Sequence, residues 1–125
     1  MIRDVTDLEI YQISLDSLKS IYKLTSTIQP AQNNVKFQLI RAAESIAPLI
    51  AEGFGKKKAT KEFCRFLLMA LGSSDEVVTH LRIIVILNNT AKQAIKRGPE
   101  GLIQDYKLLS KKINKLHSSW QKFSQ

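Results

Sequence analysis

The sequence predicts an all-α fold, an antiparallel up-and-down four-helix bundle, with residues 1–125 forming one domain. Three observations carry this. Apolar residues recur three and four apart along the whole chain, and no segment alternates with period two for long enough to be a strand. The five glycines and three prolines sit where helices would break. A chain of 125 residues and 14.1 kDa, 44% hydrophobic and 24% charged, has the size and balance of one globular domain and excludes a disordered chain.

The first helix is expected over residues 7–27. Leu8, Tyr11, Leu15, Leu18 and Tyr22 form one apolar stripe. Ile10, Ile13, Ile21, Leu24 and Ile28 form a second, about 140–220° around from Leu8 at about 100° per residue. A small bundle buries one face of each helix, so the second stripe is expected to meet another subunit or a loop and is the candidate oligomer interface, with a few stray exposed apolar residues as the competing reading. A connection follows through Gln29-Pro30, with Asn33 and Asn34 as expected N-caps. The second helix is expected over 35–52. It is rich in alanine (Ala42, Ala43, Ala47, Ala51), carries Pro48 as a kink point, and stops at Gly53 and Gly55.

Lys56, Lys57 and Lys58 form the next connection, with Thr60 as its expected cap. The third helix is expected over 60–88, with Phe63, Phe66, Leu67, Ala70, Leu71, Ser74, Val77, Val78, Leu81, Ile84 and Val85 on its buried face. Gly72 interrupts it and is read as a close helix crossing. Asn88-Asn89 opens a connection, 91–96 has room for a further turn, and Arg97-Gly98-Pro99 is a break before the last helix. That helix, over 99–123, carries an unbroken seam of Leu102, Tyr106, Leu109, Ile113, Leu116, Trp120 and Phe123.

The residue inventory points away from an enzyme. His80 and His117, the two histidines, lie on different expected helices. His80 reads as a half-buried bundle residue, and the lone Cys64 as a small hydrophobe. No Glu-x-x-His motif occurs, and Glu44, Glu52, Glu62 and Glu76 are too scattered for a carboxylate metal centre, so neither metal nor cofactor is expected. Gly53-Phe54-Gly55-Lys56 lacks the spacing of a phosphate loop. One cysteine excludes an internal disulfide framework. No leader pattern opens the chain and no apolar run is long enough to span a membrane, so a cytoplasmic location is expected. A small-molecule substrate is not.

Charge is the informative feature. The net charge is +8, and its distribution is uneven: residues 1–35 balance to −1 and the remainder to +9. Lys56, Lys57, Lys58, Lys61 and Arg65 face Glu62 alone, and Lys107, Lys111, Lys112, Lys115 and Lys122 end the chain with no acidic residue among them. Clustered flexible cations of this kind contact phosphates. With Arg41, the first cluster and the first four lysines of the second are the candidate nucleic-acid contacts. A solvated lysine face that serves solubility is the competing reading. Neither a recognition helix after a tight turn nor exposed aromatics for stacking are evident, so weak sequence selectivity and strong salt dependence are expected.

Three phrases carry a family resemblance. They are Asp7-Leu8-Glu9-Ile10-Tyr11-Gln12; Ser45-Ile46-Ala47-Pro48-Leu49-Ile50-Ala51-Glu52-Gly53-Phe54-Gly55, with Gln38-Leu39-Ile40-Arg41-Ala42-Ala43 before it; and Lys61-Glu62-Phe63-Cys64-Arg65-Phe66-Leu67, continuing through Ala70-Leu71-Gly72-Ser73-Ser74-Asp75-Glu76. In this order they resemble the bacterial 23S rRNA intervening-sequence proteins. The resemblance implies an antiparallel four-helix bundle, often a ring-shaped homopentamer, with no established enzyme activity. It also implies kinship with the basic, pentameric accessory proteins of diversity-generating retroelements, which associate with a reverse transcriptase and its RNA. The family phrase places proline directly after Ser-Ile and asparagine two positions later, where this chain has Ala47 and Leu49 and carries Pro48 between them. Of the usual paired arginine only Arg41 is present, after Ile40. The expected partners are therefore further copies of the chain and an RNA or ribonucleoprotein. A protein-interaction scaffold without direct nucleic-acid binding is the alternative.

Overall fold

Asp4 and Asp7 organise the start of the chain. The Asp4 carboxylate accepts from the Thr6 amide at 3.1 Å, and Asp7 accepts from the Asp4 and Arg3 amides at 3.0 and 2.9 Å, a capping box closing the 3-10 turn Val5–Asp7. The computed structural model describes residues 2–91 and 98–124. Among these, four α-helices follow: α1 (Glu9–Thr25), α2 (Asn33–Gly55), α3 (Thr60–Ala91) and α4 (Gly98–Gln121). Each packs against its neighbours in chain order, and α1 closes the square against α4. Cross-helix contacts fix an antiparallel arrangement. Gly53 late in α2 meets Phe66 early in α3, Phe63 early in α3 meets Trp120 late in α4, and Glu9 at the start of α1 meets Lys112 of α4.

On α1 the two stripes exchange roles. Ile10, Ile21 and Leu24 are at most 5% exposed and belong to the protomer's own core, with Ile13 and Ile28 half-buried against it. Ile10, Ile21 and Leu24 are thereby withdrawn from the expected interface between subunits. Leu15 and Tyr22, from the other stripe, are 40% and 44% exposed. The physical reason lies in two places. Leu8 is buried but precedes the helix in extended conformation (φ −77°, ψ 125°), so it does not mark a helical face. Ser14 and Ser17 are buried on the core strip, and the Ser14 hydroxyl bonds back to the Tyr11 carbonyl at 2.8 Å. Small serines, Ser14 bonded within its own helix, let α1 sit close to the core without an apolar signature.

Helix α2 starts two residues before the expected point, after the 3-10 turn Pro30–Gln32, so Asn33 and Asn34 lie inside it rather than capping it. It runs past Pro48, which is exposed and leaves the Glu44 carbonyl to water. It also runs through Gly53, so that glycine is no stop signal. A Cβ there would lie 2.6 Å from Phe66 Cβ, and glycine is what lets α2 and α3 touch. The expected crossing at Gly72 is corrected in turn, because Gly72 is exposed with nothing near it. The close approach falls on its neighbours. The Ser45 hydroxyl meets Ser73 at 2.8 Å, and buried Ser74 donates to the Tyr106 carbonyl at 3.2 Å and accepts from Ser110 at 2.8 Å.

Helix α3 continues through Asn88-Asn89 to Ala91, past the expected connection, while residues 92–97, Arg97 included, lie outside the described residues. On α4 the seam is buried from Leu102 through Ile113, half-buried at Leu116 and Trp120, and out in solvent at Phe123 in the final 3-10 turn Lys122–Ser124. Tyr106 is fully buried. Its hydroxyl has no hydrogen-bond partner, and burial pushes its pKa up. No helix among the described residues is long and apolar enough to cross a membrane.

Candidate nucleic-acid interface

The α2–α3 turn presents the first basic cluster. The Lys56 and Lys57 amides donate to the Gly53 and Phe54 carbonyls at 3.0 and 3.2 Å, and the Ala59 carbonyl accepts from Glu62 and Phe63 to open α3. Lys57 Nζ lies 3.9 Å from the centre of the Phe54 ring and Lys56 Nζ lies 5.6 Å from that of Phe66, contacts that orient both stems while leaving the heads at the surface. Lys58 and Lys61 are exposed. Arg65 is different. Its guanidinium lies 4.7 Å from the Phe66 ring and grips Glu62 through Nε and Nη2 at 3.2 and 3.1 Å, holding that carboxyl below its ordinary pKa. Its charge is largely balanced within the protein.

On α4, Lys107, Lys111 and Lys115 fall within about 80° of arc directly opposite the buried strip, at about 100° per residue, and Lys122 follows, exposed, in the final 3-10 turn. They make an exposed cationic row along the outer face of the helix. Lys112 stands to one side, paired with Glu9 at 2.6 Å, where it ties α4 to α1. The antiparallel topology joins the clusters. With Phe63 and Trp120 stacked edge to face at 4.8 Å, the end of α4 lies beside the α2–α3 turn. Lys56, Lys57, Lys58, Lys61, Lys115 and Lys122 thus share one end of the bundle. Asp4 lies there too; its carboxyl is lowered first by its bonds to Thr6 and also by the charge of Lys57.

Arg41 is not brought to this end. It stands exposed on the first half of α2, beside an open groove of about 480 Å³ that separates α2 from Glu76 of α3. Phe37, one turn before it, is 57% exposed. Exposed aromatics therefore exist, contrary to the expectation above. Phe37 lies about 160° around α2 from buried Leu39 at about 100° per residue, a signal that was present in the chain.

The scaffold of this surface is a family feature. The family profile described as 23S rRNA-intervening sequence protein matches residues 6–115, from the turn before α1 to well into α4. The chain belongs to this family. The phrases that resemble it are packing positions in the structure: Ser45 meets Ser73, Gly53 admits Phe66, and Ser74 holds the Tyr106 carbonyl. A search of curated proteins finds no match to the chain.

The residues weighed for chemistry are dispersed. Cys64 is buried, and burial raises its thiol pKa. His80 is buried on α3, with Nε2 3.5 Å from Glu76 Oε1 and without a hydrogen-bond partner. His117 is half-buried on α4. Among the described residues no three His, Cys, Asp or Glu side chains group where they would share a metal ion.

Proposed function

We propose that this protein is a non-enzymatic, self-associating bundle that binds RNA, or a ribonucleoprotein partner, through its basic end and the lysine row of α4. One observation carries the reading: two cationic clusters about fifty residues apart in the chain lie at one end of the fold, and the row on α4 extends that surface along the bundle. Flexible lysines at a surface suit a phosphate backbone. Arg65 and Lys112, already engaged by Glu62 and Glu9, contribute less. Fluorescence anisotropy against a structured RNA across a salt series tests this. Affinity should fall steeply with salt, and replacement of Lys56, Lys57 and Lys58 by Glu should weaken binding to every RNA alike. No binding at low salt overturns the RNA reading.

The exposed apolar stripe of α1 supports self-association and also favours a second reading. Leu15 and Tyr22 project from it, Tyr11 and Leu18 are half-buried beside them, and Tyr22 donates a hydrogen bond to Glu44 of α2. A protein-interaction scaffold, such as an accessory subunit of a reverse transcriptase, would use this stripe and leave the lysines to solubility. Its signature is partner binding untouched by the lysine reversals and lost with Leu15→Lys.

A further inference from the structure

We propose that the groove between the first half of α2 and the middle of α3 binds one unpaired nucleobase of an RNA strand, stacked on Phe37 with a flanking phosphate at Arg41. The inference rests on the RNA-binding reading and adds a place where a base, rather than a backbone, is recognised.

The elements of the site come from two helices. Phe37 presents its ring to solvent, with Lys36 Nζ 5.9 Å from the ring centre. Arg41 follows one helical turn later, about 40° around the helix, so a base lying on the ring has a guanidinium at the level of its own phosphate. Gln38 Nε2 donates to Asn34 Oδ1 at 3.3 Å, which leaves the Gln38 carbonyl as an acceptor and the Asn34 amide as a donor at the groove wall. Glu76 forms the facing wall, with its Oε1 3.5 Å from His80 Nε2.

The carboxylate decides the ligand class. A free inorganic anion in this groove would meet Arg41 and also Glu76, and an acidic peptide would meet the same repulsion. A nucleotide would not. Its base is neutral and offers N–H donors to Glu76, while its phosphate reaches out to Arg41 and Lys36. The Glu76 carboxylate, an acceptor, favours bases that carry an amino group on the pairing edge, such as guanine or cytosine, over uracil. The groove also stands apart from the lysine end. Residue 39 and residue 56 are separated by about 25 Å along α2, so a strand held at the basic end has length in hand before its base is read.

Single-stranded RNA 12-mers with 2-aminopurine at one central position supply the test, because stacking on an aromatic ring changes the emission of that base. Wild-type protein should change it on binding. Phe37→Leu should abolish the change and weaken binding by about 5- to 150-fold, the equivalent of about 1–3 kcal/mol per stacked base. Phe37→Trp should restore both. Glu76→Gln should erase the preference for cytidylate over uridylate 12-mers. Phe37 is exposed, so circular dichroism should report an unchanged fold in each Phe37 variant. If Phe37→Leu binds RNA with unchanged affinity and the emission change persists, the groove is not a base site, although the RNA-binding reading stands. If Phe37→Leu alters sedimentation while nucleotide binding is unchanged, the patch is a protein contact and the proposal falls. If the wild-type protein binds no RNA at low salt, guanosine monophosphate titrated into labelled protein decides. Shifts confined to Phe37, Arg41 and their neighbours uphold a nucleotide site without RNA binding, and their absence overturns both.

Discussion

An alanine at Gly53 would bring its Cβ to 2.6 Å from Phe66 Cβ and 3.2 Å from the Phe63 ring, and neither neighbour is free to retreat from the core. Gly53→Ala should therefore destabilise the fold by about 1–3 kcal/mol. Gly72→Ala, on the same helix pair but facing open space, should stabilise it by about 0.5–1 kcal/mol by restricting the unfolded chain. Urea titrations of the two variants check the opposite signs. The sequence alone suggests the reverse assignment, because Gly53-Phe54-Gly55 before three lysines has the punctuation of a helix end. Only the tertiary contact distinguishes a crossing from a stop. Asp4 and Asp7 give a residue-scale pH dependence. The Thr6 hydroxyl, followed by the Thr6 amide, is the largest influence on Asp4 and the Arg3 amide is the largest on Asp7, and they hold both carboxyls below their ordinary value of 3.8. Groups lowered in this way stabilise the turn above the unfolded pKa, and that contribution is lost as pH falls through the folded values. The Thr6 amide should therefore gain hydrogen-exchange rate relative to core amides as the pH drops below about 4, after correction for the intrinsic rate.

Single residues on α1 add up to an element with two unlike faces, and the faces separate experimentally. Ile21→Lys puts a charge where nothing is exposed and should unfold the bundle, whereas Leu15→Lys should leave helicity intact and lower the sedimentation coefficient if the outer stripe joins subunits. The first outcome is read by circular dichroism and the second by sedimentation velocity on dilute protein. Helices α2, α3 and α4 are legible in the sequence because their apolar positions keep helical period over many turns, as in the seam from Leu102 to Trp120. The inner face of α1 is not, because Ser14 and Ser17 occupy buried positions and Leu8 is buried from outside the helix. Boundaries fail for a related reason. Asn33, Asn34, Asn88 and Asn89 favour caps and turns locally, yet α2 and α3 run through them, with packing along each helix outweighing a preference worth tenths of a kcal/mol per residue.

For the whole molecule, the candidate site was half legible. Both lysine clusters stand out in the chain, but their convergence depends on topology, and the neutralisation of Arg65 and Lys112 depends on where Glu62 and Glu9 lie. Phe37 is not legible as a site residue, because an aromatic in an apolar-rich helix has the pattern of core until its neighbours are placed. A polyanion spread over the basic end should lose affinity with a log–log salt slope of about −0.7 per phosphate contact on single strands, and reversal of three lysines should flatten that slope by about 2. Filter binding over a tenfold salt range measures it. The edge-to-face pair of Phe63 and Trp120 has its own use here. Trp120 is the chain's one tryptophan, half-buried at the end where the lysines gather, with Phe123 5.9 Å beyond it. Intrinsic emission from this protein is thus a built-in optical reporter of that end. It will register an occupant or a loosening of α4's last turn there, and it will stay silent to events in the distant groove beside Phe37.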